Sequence, residues 1–455
     1  MEEEKAYGAH VMVLPFHGQG HINPMLQFSK RLVSKGLKVT VTTTLSNTKT
    51  MQAGAGSISL EPIYDDCSEG GLGGPGGFKG FIERFEASGS RGLIELIEKL
   101  ESSNYPVKCL VYDANLPWAL DIAKRLGLPG AAFFTQSCAA IASYYSMHQE
   151  MLGESPREPA FPMPGLPPLG LPNLPSLGSA SGQCPPIVRY ILNQFSNIEK
   201  ADWVLFNSFD KLEYEVVKWM GKLWPVKTIG PTVPSVYLDN RVEGDKGYGF
   251  SLYKPDSDAC MKWLNTKETG SVVYVSFGSA ASLNAEQMEE MAWALKQNNS
   301  NFLWVVKTSE KNNLPSKFLE EMSDKGLVVT WCPQLEVLAH HAVGCFITHC
   351  GWNSTVEALS FGVPMVGMPQ FLDQMTNAHF VEKVCGVGVK PRVDEKGLAS
   401  REEIDRCIKE VMQGEKGEEI KRNATMWKEL AKEAVNEGGS SDKYIDEIID
   451  RLMSA

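Results

Sequence analysis

Strand-length apolar runs alternate with amphipathic stretches along most of the chain, and this alternation constrains the fold more than any other feature. Parallel strands read as continuous apolar runs because helices cover both faces of their sheet. In the first half such runs lie at 10–14, 39–43, 107–112, 131–134 and 203–206, with helical patterns beginning at Met25, Phe81 and Pro117. In the second half they lie at 271–277, 301–306, 326–330, 344–348 and 363–368, with helices beginning near Ala285, Asn353, Asp373 and Arg401. At 455 residues the chain exceeds one compact core, so two α/β domains of roughly 200 residues each are expected.

Two segments break the rhythm. Residues 158–186 are crowded with Pro, Gly and Leu and read as a long irregular loop, either covering an apolar surface or crossing the exterior. Residues 230–255 separate the two βα series and read as the connection between domains, which places a first domain at 1–235, a linker at 236–256 and a second domain at 257–439. A Gly-rich patch at 70–77 lacks the following Lys-Ser/Thr of a phosphate loop.

A formal charge of −11 argues against a nucleic-acid surface, which needs a basic stripe. The acidic start MEEEKAYGAHVMVLP has no secretory pattern, and no apolar run approaches the roughly 20 residues of a bilayer span. The ten Cys are scattered without a CxxC pair, which suits reduced, mostly buried thiols in the cytosol.

The segment from Trp331 to Gln374, WCPQLEVLAHHAVGCFITHCGWNSTVEALSFGVPMVGMPQFLDQ, contains no Lys or Arg. A diphosphate held by it would depend on backbone N–H groups, a helix dipole and a His. Trp331 follows a strand, at the carboxyl edge where doubly wound sheets place ligands, and can stack on a base. In FITHCGWNSTVE, His349 ends a strand, Gly351 permits close approach and Asn353 or Ser354 is a natural cap for the helix that follows. Glu357 lies one turn into that helix, where a carboxylate can accept two ribose hydroxyls. Asp373 and Gln374 combine acceptors and donors that suit adjacent sugar hydroxyls.

This whole segment resembles the signature of plant family 1 UDP-glycosyltransferases. The resemblance implies a GT-B fold, two Rossmann-like domains with parallel sheets facing a central cleft, with a C-terminal helix at 440–455 packing back on the first domain. It implies that Trp331, the backbone of Cys332 and Gln334 hold the uridine, that His349, Gly351, Asn353 and Ser354 hold the diphosphate, and that Glu357 holds the ribose. It places Trp352, Asp373 and Gln374 at the sugar, where a final Gln goes with glucose. Gly278 and Ser279, closing SVVYVSFGS, would add donors to the phosphates. No function is expected of the Cys332 thiol.

Three His lie near the first strand, in HVMVLPFHGQGHINPM. His10 is separated from His17 by an extended stretch of roughly 20 Å, and Gly18, Gly20 and Pro24 favour a loop between His17 and His21, so a metal site is not expected. By resemblance, His21 is the general base, Gly20 adjoins the donor and Asp113 is the carboxylate partner of His21. Asn23 is expected to cap the next helix with Pro24 in its first turn, leaving His21 at the positive helix end, where the neutral ring is favoured. Asp113 can also cap the helix near Pro117. Thr135 matches a position that touches the donor sugar. Phe16, His17, Leu116, Phe134 and Met147 are expected on the acceptor side.

The expectation is an inverting, metal-independent glucosyltransferase that uses no cofactor beyond the co-substrate UDP-glucose and acts as a cytoplasmic monomer. Its acceptor is a small hydrophobic molecule, a hydroxylated terpenoid or steroid being favoured over small carboxylic acids and phenolics. A nicotinamide dehydrogenase would need GxGxxG after the first strand, which GQGHINP does not supply. A non-catalytic carrier would have no need of the His21–Asp113 pair.

Overall fold

The computed structural model describes residues 7–44, 51, 58–64, 76–152 and 186–454. Within them the chain divides into two compact units. One gathers the described residues up to 152, those of 186–251 and the chain from Glu433 onward; the other is Leu252–Lys432.

The first unit is built on seven parallel strands: β1 His10–Leu14, β2 Lys38–Thr44, β3 Ile58–Tyr64, β4 Val107–Asp113, β5 Gly130–Phe134, β6 Trp203–Phe206 and β7 Val226–Thr228. Their order is β3-β2-β1-β4-β5-β6-β7. The second has six: β8 Val272–Ser276, β9 Asn301–Val305, β10 Gly326–Val329, β11 Val343–Thr348, β12 Met365–Gly367 and β13 Gly388–Val389, in the order β10-β9-β8-β11-β12-β13. Each sheet reverses its direction of growth once, between β1 and β4 in the first and between β8 and β11 in the second. Those switch points open crevices at the carboxyl ends of the strands.

The ten runs read as strands are all strands here, to within two residues at either end. Three further strands had no usable pattern. β3 carries Glu61 and Pro62, which an edge strand tolerates because its outer N–H groups need no partner. β7 and β13 have three and two residues, too short for a periodicity. Each sheet encloses an apolar core, with Val11, Val13, Val39, Val41 and Phe133 in the first and Val273, Val275, Phe302, Trp304 and Ile347 in the second.

Much of the segment read as a linker is a folded strap on the first unit. Asp245, fully buried, accepts hydrogen bonds from Lys30 Nζ at 2.9 Å, from the Ser235 amide at 2.7 Å and from Gln27 Nε2. Asp239 takes the Arg31 guanidinium, with Nη2 at 2.7 Å. These contacts grip the Gln19–Ser34 helix, and the division between units falls after Ser251. The C-terminal helix Ser440–Ser454 also joins this unit, burying Ile445, Ile448 and Leu452 in its core, while Asp442 meets Lys35 at 2.7 Å and Arg241 at 3.0 Å. Of the Pro-rich stretch, 158–185 lies outside the described residues, and Pro186 opens the helix Pro186–Leu192. Of the 70–77 patch only Gly76 and Gly77 are described, at the start of the helix Gly77–Glu101. No helix among the described residues is long and apolar enough to cross a membrane. The described Cys residues are free and buried.

Candidate functional site

In the first unit three carboxyl edges converge. The helix after β1 starts at Gln19 with Gly18 as its cap, earlier than Met25, so Asn23 does not cap it and Pro24 lies inside it. A proline there withholds the N–H that would reach the Gly20 carbonyl, a cost the burial of Ile22, Met25, Leu26, Phe28 and Leu32 offsets. Asn23 is buried instead, its Oδ1 without a hydrogen-bond partner. Gly20 and His21 are the second and third residues of the helix, so His21 does sit at its positive end.

His21 Nδ1 lies 2.7 Å from Oδ2 of Asp113, the last residue of β4, and 3.1 Å from Thr135 Oγ1, just past β5. Asp113 is 1% exposed, and its other oxygen accepts from the Asn115 backbone and side-chain amides at 3.0 and 3.1 Å. It does not cap the Pro117–Arg125 helix, whose cap is Leu116. Because an ionised carboxylate only accepts, the proton of neutral His21 belongs on Nδ1 and its lone pair on Nε2. The imidazole remains 26% exposed, so a substrate can reach it.

Of the residues expected on the acceptor side, Phe16 sets its ring edge-on to His21, with centroids 5.3 Å apart. His17 is exposed nearby, and Met147 is half-buried on the helix Cys138–Leu152. Leu116 and Phe134 present almost no surface, and Phe134 is stacked on Phe206 at 4.8 Å, so both are core residues. Apolar character at a strand end could not separate a lining residue from a packed one. Sequence reasoning missed Tyr190, Phe85 and Phe78: Tyr190 and Phe85 pack on Phe16, and Phe78 meets Tyr190 edge-on. The Tyr190 hydroxyl donates to the Asn115 carbonyl at 2.8 Å.

In the second unit the switch point brings Gly278 against His349. A Cβ on Gly278 would lie 2.8 Å from Cε1 of His349, and one on Gly351 would lie 2.4 Å from its Nε2. Ser279 is half-buried beside them. The helix Trp352–Phe361 is capped by Gly351, not by Asn353 or Ser354, which occupy its first turn. Gly351 places no cap side chain over this end, and the positive end of a helix is suited to an anion. Cys350 holds a left-handed φ of 58°, a strained conformation that recurs at ligand sites.

Burial, and after it the nearby Lys307 ammonium, push the His349 imidazole down to about 4. His349 is therefore neutral near pH 7 and could meet an anion only as an N–H donor, not as a cation; its Nδ1 is buried without a hydrogen-bond partner. Lys307 follows β9 and was invisible to a motif read along the chain. Its ammonium holds Ser282 Oγ at 2.9 Å and the Ala281 carbonyl, bracing the turn after Gly278.

Trp331 is half-buried past β10, its ring 4.8 Å from that of Tyr253. Gln334 donates to Ser354 Oγ at 3.0 Å and to Glu357 Oε2 at 2.7 Å, so three expected nucleotide ligands form one cluster. The Cys332 thiol is not idle, standing 3.2 Å from the Tyr274 hydroxyl. The Trp352 indole packs edge-on against Phe380 and is nearly buried, at the start of the helix that follows Gly351. Asp373 Oδ2 accepts from Asn377 Nδ2 at 2.8 Å, and the same amide donates to the Cys350 carbonyl at 3.0 Å. Asn377 thus ties the Asp373–Gln374 end to the His349–Gly351 turn. Gln374 Oε1 accepts from the amides of Gln370 and Phe371 at 2.9 and 3.2 Å, so it keeps only its NH₂ for a ligand.

Residues 221–434 match the family model described as UDP-glucoronosyl and UDP-glucosyl transferase. A UDP-glucosyl transferase 74CD1 of Saponaria officinalis is 48% identical, with 100% of each chain covered. The chain belongs to the plant family 1 UDP-glycosyltransferases. The mogroside I-E synthase of Siraitia grosvenorii is 47% identical over 97% of this glycosyltransferase and 98% of its own length. Among solved structures, Os79 from O. sativa in complex with U2F and trichothecene has a TM-score of 0.86 at 38% identity, covering 97% of this chain and 100% of that one. The two Rossmann-like sheets of this glycosyltransferase are those of the GT-B fold.

Proposed function

We propose that this glycosyltransferase moves glucose from UDP-glucose to a hydroxyl group of a small, apolar plant metabolite, with inversion at the anomeric carbon. His21 Nε2 takes the acceptor proton as the acceptor oxygen attacks C1 of the α-glucosyl donor. The C1–O bond to the diphosphate breaks, UDP departs and the product is a β-glucoside. The positive imidazolium formed on His21 is stabilised by Asp113, while Thr135 accepts a second, weaker share of the Nδ1 proton. One observation carries this reading: the 2.7 Å contact between His21 Nδ1 and the buried Asp113 carboxylate, which makes Nε2 the basic nitrogen of a ring that is 26% exposed.

Uridine is assigned to Trp331, the Cys332 backbone and Gln334, and ribose to Glu357. The diphosphate is assigned to the amides at the start of the Trp352–Phe361 helix with Gly278, Ser279 and His349, and glucose to Asp373 and the Gln374 NH₂. Helix-terminal donors oriented in advance can meet the leaving-group charge without a divalent cation. Phe16, Phe85, Tyr190 and Phe78 supply an aromatic wall beside His21, which supports a hydroxylated terpenoid or steroid as acceptor. Small carboxylic acids and phenolics are the second reading, the phenolics because a flat ring can stack on that aromatic wall.

The test is a mass-spectrometric screen of UDP-glucose with triterpenoids, steroids, phenolics and plant acids, in the presence and absence of EDTA. A hexose addition to polycyclic alcohols, unaffected by EDTA and abolished in His21→Ala while UDP still binds, is expected. Unchanged transfer by His21→Ala would reject His21 as the base.

A further inference from the structure

Cys332, Tyr274, Gln334 and Glu357 form one continuous run of hydrogen bonds in the second unit. Tyr274, on β8, is fully buried, its ring stacked on Phe346 with centroids 4.7 Å apart. Its hydroxyl stands 3.2 Å from Cys332 Sγ and donates to Gln334 Oε1 at 3.0 Å. The amide of Gln334 then donates to Glu357 Oε2 at 2.7 Å and to Ser354 Oγ at 3.0 Å.

The polarity of this run is determined from its far end. A carboxylate only accepts, so Gln334 must turn its NH₂ toward Glu357 and its oxygen toward Tyr274. That oxygen needs a donor, which commits the single Tyr274 proton to it. The phenolic oxygen is then left to accept from the Cys332 thiol. Burial pushes both the phenol and the thiol upward, so each keeps its proton at neutral pH. Every proton in the run points toward Glu357.

We propose that Tyr274, backed by the Cys332 thiol, is a positioning residue that locks the Gln334 amide in one orientation and so holds Glu357 where it reads the ribose. The proposal rests on the assignment of Glu357 to the ribose. Without the Tyr274 donor the Gln334 oxygen loses its partner, and the amide is held only at its NH₂ end, by Glu357 and Ser354. The amide can then swing away to find another donor for its oxygen, and Glu357 would lose part of its support.

The experiment compares inhibition by UDP and by 2′-deoxy-UDP, together with kcat and KM for UDP-glucose, in Tyr274→Phe, Cys332→Ala and Glu357→Ala. Tyr274→Phe keeps the ring and its stacking. It should weaken UDP roughly three- to tenfold, the change that follows from one buried hydrogen bond. It should weaken 2′-deoxy-UDP less, so that discrimination between the two narrows, with the loss in KM rather than kcat. Cys332→Ala should shift the same ratio by a smaller factor. Equal weakening of both nucleotides by Tyr274→Phe, or a loss confined to kcat, overturns the proposal. If Glu357→Ala leaves the discrimination intact, the ribose assignment fails; if it abolishes discrimination while Tyr274→Phe does not touch it, only the positioning role fails.

Discussion

Gly278 and His349 stand in direct contact where β8 and β11 part, with room for nothing larger than a hydrogen between the glycine Cα and the imidazole. The φ of Gly278 is +68°, so a side chain there would be strained as well as crowded. Gly278→Ala is expected to displace the ring and raise KM for UDP-glucose roughly tenfold or more, as for a lost bond to a charged group. Gly397→Ala is the control, since its φ is +81° with no atom within 4 Å of the added carbon. It should lower stability by about 1 kcal/mol and leave KM unchanged. A normal KM in Gly278→Ala would take His349 out of the donor site.

Asp113→Asn should preserve the fold and reduce kcat by on the order of 10³-fold or more, by allowing the wrong His21 tautomer. Calorimetry should find UDP bound as in the parent enzyme, since Asp113 is not assigned to the nucleotide. A kcat close to that of the parent would show that the carboxylate does not set the tautomer.

The Lys30–Asp245 pair is almost wholly buried, with side chains 4% and 0% exposed. Asp245→Ala leaves an unpaired ammonium inside the first unit and should destabilise it by about 3–5 kcal/mol. Lys30→Met combined with Asp245→Ala should recover part of that loss, because the stranded charge is gone. Urea unfolding measures both, and a single mutant as stable as the parent would mean that the strap does not clamp the helix.

His349 has a folded-state value of about 4 against an ordinary value of 6.5. Between those values the unfolded chain binds a proton that the folded chain refuses, so this group makes stability rise with pH. Its contribution is fully present above about 6.5 and is lost as pH falls toward 4. Melting temperatures at pH 7.5 and pH 5 should therefore drop more in the parent than in His349→Gln. An identical drop in the two would mean that His349 is not held neutral.

Ten of the thirteen described strands were legible because each of those is a local run of apolar residues, and the donor motif because its ligands lie on one short stretch of chain. Helix starts were less legible. The Gln19–Ser34 helix runs through Pro24, because burial of its apolar face outweighs one missing backbone bond. The Trp352–Phe361 helix is capped by Gly351, ahead of the Asn353 or Ser354 that a side-chain cap would have used.

From sequence alone came the α/β class, the two series of strands, His21 and the diphosphate turn, since periodicity and contiguous motifs are properties of neighbouring residues. Only tertiary structure decided which side chains meet. The pair His21 and Asp113, 92 residues apart, was expected by resemblance alone, and Tyr274 reaches Gln334 across 60 residues with no signal in the sequence. Tertiary structure alone also showed that Phe134 and Leu116 are packed inside and that Lys307 reaches the neighbourhood of His349. Hydrogen bonds and desolvation act through space, and strand order rather than spacing along the chain determines which residues share that space.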